Sequence, residues 1–202
     1  MTLPLKASFL RKKSLLLLLA LGLPLLLRAQ TTPDASTTQV PLAFTGGHET
    51  DPRDHGRPVV LIAAALGVPS EVFRDAFSRV HPAGPDKGGP TDDEARANKQ
   101  ALMATLGPYG VTDDRLNAVS NHYRYRAWAN ELWPTQPATG YALVKEGAVT
   151  GFVITNGGSG YSSPPAVTLP SLPNAACAAQ LSFSQDFDKN GAVSSVALAP
   201  VK

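Results

Sequence analysis

The stretch 147–170, GAVTGFVITNGGSGYSSPPAVTLP, limits what this chain can fold into more than any other part of it. Residues 149–155 and 166–169 are rich in β-branched and aromatic side chains, which suit a pleated, half-buried surface. Between them, Asn156-Gly157-Gly158-Ser159-Gly160 accommodates the positive φ angles that a Cβ mostly forbids, so a sharp turn is expected here. Tyr161 follows, and then Pro164 and Pro165, which fix φ and remove two amide donors, so this piece cannot be an interior strand. The expectation for Tyr161 is a ring that plugs the corner; the alternative is a ring that stacks on a ligand.

Other strand signals surround this corner. Residues 141–144 and 149–155, joined by a turn at 145–147, read as one hairpin, and 180–187 with 192–198 as another, with Leu181 and Phe183 alternating with Ser182 and Ser184. Asp186-Phe187-Asp188-Lys189-Asn190-Gly191 imitates the opening of a calcium loop, yet Ala197 stands where the bidentate glutamate belongs. Asn190-Gly191 is also a hairpin-turn dipeptide, and the turn is the preferred reading.

The segment ITNGGSGYSSPPAVTL resembles the GSGY-containing β-repeats of bacterial secreted proteins and some phage tail proteins, and the wider chain resembles a group of secreted bacterial proteins. The first resemblance implies a surface, adhesive or structural module and carries no catalytic residue.

The first residues predict an address. Lys6, Arg11, Lys12 and Lys13 precede an almost wholly aliphatic run at 15–27, and Ala29 offers a small residue for cleavage, the pattern of a secretory signal peptide over 1–29. The run is short for a bilayer span, and Pro24 weakens it as a permanent helix, so no span is expected after cleavage. The chain has 18 basic and 16 acidic side chains. Removing five basic residues and no acidic one leaves 13 against 16, a net of minus three, which takes away the electrostatic footprint of a nucleic-acid binder. One cysteine, Cys177, makes no internal disulfide and sits among small residues as a buried spacer. Residues 30–45, rich in Thr, Pro and Ala, read as a disordered leader.

A helical region follows. Pro58 opens a uniformly apolar helix over 59–66, which Gly67 stops; Ser70 caps an amphipathic helix containing Val72, Phe73, Ala76, Phe77 and Val80. The segment 82–90 is a linker, and Thr91 with Glu94 forms a capping box for a helix over 92–106. Leu61–Gly67 aligns with Ala101–Gly107, and after an inserted Pro108-Tyr109-Gly110 the likeness continues from Val68 and Val111 to Val80 and Tyr123. The fold class expected is therefore α+β. A helical domain of two duplicated helix-turn-helix units at 46–134 precedes a small antiparallel β module at 139–202.

Two candidate sites emerge. The loop 46–58 holds His48, Glu49, Asp51, Asp54 and His55; the preferred reading is a capping loop in which Arg53 or Arg57 pairs with Asp51 or Asp54, and the alternative is a donor set for zinc, although it matches no zincin spacing. Tyr123, Arg124, Tyr125, Arg126 and Trp128 alternate rings with guanidinium groups; packing between the two parts is the preferred reading of these rings, yet together with Tyr161 they are the best candidate ligand-binding residues, while Trp133 is expected to staple the two parts. No cofactor is expected, with zinc at the first loop or calcium at 186–191 as the alternatives. The function anticipated is a non-catalytic binding or surface-association module, secreted or periplasmic, with a cell-surface glycan or protein as partner. The rival is a metal-dependent hydrolase centred on His48 to His55, joined by His81 or His122.

Overall fold

The structure, a computed structural model, describes residues 36–81, 89–124 and 131–199. The signal reading at 1–29, the first part of the leader and the linker residues 82–88 lie outside the described residues. Among the described residues there are four α-helices and two antiparallel sheets, an α+β fold.

The helices begin and end where local chemistry dictates. Helix α1 (Val59–Leu66) is apolar on nearly all sides and buries Leu61, Ile62 and Ala65; Gly67, at φ 74°, turns its amide back onto the last turn. Helix α2 (Ser70–Ser78) buries Phe73 and Ala76, with Pro69 at its N-cap. Helix α3 (Asp92–Leu106) starts at the Thr91/Glu94 capping box, in which the Thr91 hydroxyl accepts the Glu94 amide and the Glu94 carboxylate accepts the Thr91 amide. Helix α4 (Asp113–His122) is capped by the Thr112 hydroxyl. The two helix pairs end their first helices differently: Gly67 is left-handed, whereas Gly107 is right-handed and begins a short 3-10 turn that Gly110 ends. Leu61, Phe73, Leu106, Leu116, Val119 and Tyr123 meet in one core.

Strand β1 (Thr37–Pro41) pairs with β3 (Thr139–Lys145), and β2 (Ala43–Thr45) with β5 (Ala166–Thr168). These residues were expected to be a disordered leader. Instead they are edge strands, because β-branched Thr37, Thr38 and Val40 and the aromatic Phe44 find partners about a hundred residues away, Val40 opposite Ala142 and Phe44 opposite Val167. The β part is thus discontinuous in sequence, and the helices are inserted between β2 and β3 rather than placed before a separate module at 139–202. Strand β3 turns into β4 (Ala148–Asn156) at Glu146-Gly147, both at positive φ, the signature of a tight primed turn. The sheets run β1-β3-β4 and β2-β5-β6-β7, with β6 at Cys177–Ser182 and β7 at Ala192–Leu198. Leu42 joins β1 to β2 and packs against the clusters under both sheets.

The corner expected at 156–161 is architecture throughout. A Cβ on Gly157 would lie 2.7 Å from the Val193 carbonyl, and one on Gly160 would lie 2.7 Å from that of Pro134, so only glycine lets these backbones meet. Ser159 and Gln136 exchange both backbone hydrogen bonds. The Tyr161 ring is 4 % exposed, and its hydroxyl accepts the Ala138 amide at 2.9 Å. Trp133 donates from Nε1 to the Gly160 carbonyl at 2.8 Å, fulfilling the stapling role expected of it.

Asn190 departs from expectation. Ser182 pairs with Ala192, so the connection from β6 to β7 is the long loop 183–191 rather than a two-residue turn at Asn190-Gly191. Asn190 is fully buried. Its Nδ2 donates to the Leu61 carbonyl and the Tyr123 hydroxyl, both at 2.8 Å, and its Oδ1 accepts the Ser184 amide at 3.1 Å. Its own carbonyl accepts the Gly160 amide at 2.8 Å. Burial pushes the Tyr123 phenol up, so it stays a neutral hydroxyl able to accept the amide proton. Arg115 adds a second tie, donating to the Ala65 carbonyl at 2.7 and 3.0 Å and to that of Gln185.

Asn190→Ala strands a buried carbonyl, a buried hydroxyl and an amide, and should cost about 3 kcal/mol. Asn117→Ala, on the exposed face of α4, should stay within about 0.5 kcal/mol. Urea unfolding of both variants against the parent chain checks this.

Candidate functional site

The loop 46–58 makes two bends that decide where its side chains go. Gly46 and Gly47 both have positive φ, and Gly47 lies so close to Tyr161 that a Cβ would sit 2.6 Å from the ring. This bend lays His48 flat on Tyr161, with centroids 5.3 Å apart and planes 5° from parallel, and edge-on to Trp133. His48 Nδ1 lies 3.3 Å from the Gly160 carbonyl, to which it donates when Nδ1 carries the proton. The second bend is at His55 and Gly56, with φ of 49° and 83°. A left-handed histidine is uncommon, and here it sends the chain from the short 3-10 turn Pro52–Asp54 back towards α1.

The five residues read as a metal donor set are therefore separated by their partners. The Glu49 carboxylate accepts the Ser163 hydroxyl, which together with backbone amides draws its pKa down. Asp51 caps the 3-10 turn and accepts Arg53 through Nε at 3.1 Å and Nη2 at 2.8 Å, which depresses its carboxyl to about 2. Asp54 is buried and bound bidentately by Arg74, at 2.8 and 2.7 Å. That pairing raises the Arg74 pKa; the ion pair expected within the loop is the one between Arg53 and Asp51, while Asp54 is matched from α2. His55 is exposed. Among the described residues no three His, Cys, Asp or Glu side chains converge as a metal site. The loop 186–191 likewise spends Asp186 on the Asp188 amide and, at 3.1 Å, on Lys189.

The aromatic candidates divide. Tyr125, Arg126 and Trp128 lie outside the described residues. Tyr123 takes the packing role rather than the ligand-binding one: it is 3 % exposed in the helical core, with its hydroxyl held by Asn190, and Tyr161 is covered by His48. Arg124 is exposed and donates to Asn121 at 3.2 Å.

Sequence reasoning passed over the cavity beside the second bend. About 350 Å³ in volume, it lies between residues 53–59 and α2. Its apolar wall is Val59, Phe73 and Phe77, the last two spaced four apart on one helix face. Its polar rim is Arg53, His55, Arg57 and Arg74. Arg57 is partly buried with its guanidinium carbon 3.9 Å above the Phe77 ring, and its Nη1 donates to the Asp54 carbonyl at 3.0 Å. Burial draws the Arg57 pKa down while Asp54 pulls the other way; guanidinium stays charged at neutral pH regardless. Among the described residues no carboxylate pairs with Arg57, because both oxygens of Asp54 face Arg74. The signal that could have found the site was Phe73-Arg74 and Phe77 on one helix, beside an arginine that follows a histidine-glycine bend. A larger cleft of about 660 Å³, lined by Val149, Leu172, Pro173, Ala175 and Leu198, offers no charged group among the described residues.

His122, named with the rival metal site, is stacked on Phe187 at 4.1 Å. Burial lowers its pKa from 6.5. The unfolded chain therefore takes up this proton first, and stability is lost as pH falls from about 6.5 towards the lower folded value. The parent chain should lose stability between pH 7 and 5.5, and His122→Phe should lose less; parallel pH profiles in thermal melts would contradict this assignment.

Compared with protein-family models, curated proteins and solved structures, the chain finds no match in any of the three.

Proposed function

We propose that this chain is an exported, non-catalytic binding module whose ligand site is the cavity between residues 53–59 and α2. The observation that carries the reading is Arg57, a partly buried cation over Phe77, with no carboxylate partner among the described residues, at the rim of a cavity with an apolar wall. Fixed polar groups on an apolar cavity are how small-molecule sites are built.

Binding is favoured over catalysis by what surrounds the cavity. Its one carboxylate among the described residues, Asp54, is clamped by Arg74, and the Ser78 hydroxyl donates to the Asp75 carbonyl at 2.7 Å, which leaves neither free as base or nucleophile. Export rests on the basic and aliphatic N-terminus. The partner follows from that address: a cell-surface protein or glycan.

The test is a two-dimensional NMR titration of the chain recovered from outside the cytoplasm, using a small panel of aromatic acids and their neutral amides. The N-terminus of the recovered chain should be Gln30, and at least one compound should move the resonances of residues 53–59 and 73–78 together. A folded chain in which no compound perturbs those residues would defeat the reading. So would stoichiometric zinc that is lost in His48→Ala, which would favour the metal-dependent hydrolase.

A further inference from the structure

We infer that the Arg57 cavity takes a carboxylate carried on an aromatic or aliphatic group, the carboxylate paired with the Arg57 guanidinium and the apolar group lying against Phe73 and Phe77. The inference rests on the binding reading above and names the chemistry of its ligand.

The charge balance of the rim decides between anions. Arg53 is matched by Asp51 at 2.8 Å, and Arg74 by Asp54 at 2.7 Å and Glu71 at 2.6 Å. Arg57 is the cation on this rim for which the described residues provide no carboxylate. Arg74 holds two of the three carboxylates, so the cluster as a whole is balanced while Arg57 keeps donors without an ion pair among the described residues; such a site suits a single negative charge at Arg57 and disfavours a phosphate dianion. The shape of the charge points the same way. A guanidinium offers a planar fork of donors that fits the two oxygens of a carboxylate, and one face of this fork is already covered by Phe77.

The remaining wall decides what carries the carboxylate. Val59, Phe73 and Phe77 offer apolar surface, and among the described residues no asparagine or glutamine lines the cavity. A sugar presents hydroxyls that need acceptors as well as donors, and the cavity's one carboxylate is bound to Arg74 at both oxygens. Of the two partners proposed, a protein therefore fits better than a glycan, through a chain terminus whose last side chain is apolar. A free aromatic acid has the same chemistry. At about 350 Å³ the cavity stands near the small end of ligand pockets, enough for one such group.

Calorimetry and NMR at neutral pH test this with 3-phenylpropanoate, its primary amide, inorganic phosphate, and the tripeptide Ala-Ala-Phe with a free or an amidated C-terminus. The acid should bind with shifts at residues 53–59 and 73–78, and its amide should bind at least about tenfold more weakly, as expected for loss of a charged hydrogen bond. The free tripeptide binding more tightly than the acid would identify a chain terminus as the source, and the reverse order a free acid. Arg57→Ala should lose the preference for acid over amide, and Arg57→Lys should keep only part of it. An Arg57 variant with an altered near-ultraviolet spectrum is replaced by Phe77→Leu, which should weaken acid and amide alike. Equal binding of acid and amide at the cavity would overturn the inference and leave the binding reading standing, as would phosphate binding more tightly than the acid. No shift at the cavity with any of these probes would remove both.

Discussion

The structure depends on a single buried amide. Asn190 reaches from the loop between β6 and β7 into the helical core, where it satisfies a carbonyl of α1 and the hydroxyl of Tyr123, while its own backbone carbonyl receives the amide of Gly160. A polar group buried this deeply is tolerated only when its donors and acceptors are matched, and here they are. The adjoining Gly191 has no room for a side chain, since a Cβ would lie 2.6 Å from Leu61 and collide with the Tyr161 carbonyl. Helices, glycine corner and second sheet thus converge on two consecutive residues.

That convergence places the candidate site. The glycine corner fixes Tyr161, Tyr161 supports His48, and the loop from His48 runs on to the bend at His55-Gly56 that sets Arg57 beside α2. On the far side, α2 holds Asp54 through Arg74, so the floor of the bend is pinned from both directions. The cavity's partly buried cation is a by-product of a neighbouring pair: Arg74 takes both carboxylate oxygens of Asp54, and Arg57 reaches only that residue's backbone carbonyl.

Much of this was legible in the sequence wherever the cause was local. The capping box at Thr91 and Glu94, the glycine stop after Leu66 and the tight turn at Glu146-Gly147 each act within a few residues, and the elements they bound fall where expected. Residues 37–45 failed because their strand character is decided by partners far along the chain, and a short run rich in threonine looks like a leader until Leu143 or Val167 stands opposite it. The loop 46–58 could be read only in part, for the converse reason. Its residues are close in sequence, but two left-handed bends turn them in different directions, and Arg74 claims the most buried carboxylate from another element. Asn190 carried a turn signal, and nothing local distinguishes a turn asparagine from one drawn into a core by Leu61 and Tyr123.

The central claim is that the helices and the sheets unfold as one cooperative unit because Asn190 and its neighbours join them. Native-state hydrogen exchange measures this directly, by comparing the opening free energies of the α1 amides with those of β7. Equal free energies, set by global unfolding, are the predicted result. Helical amides that open at distinctly lower free energy while β7 stays protected would contradict the account.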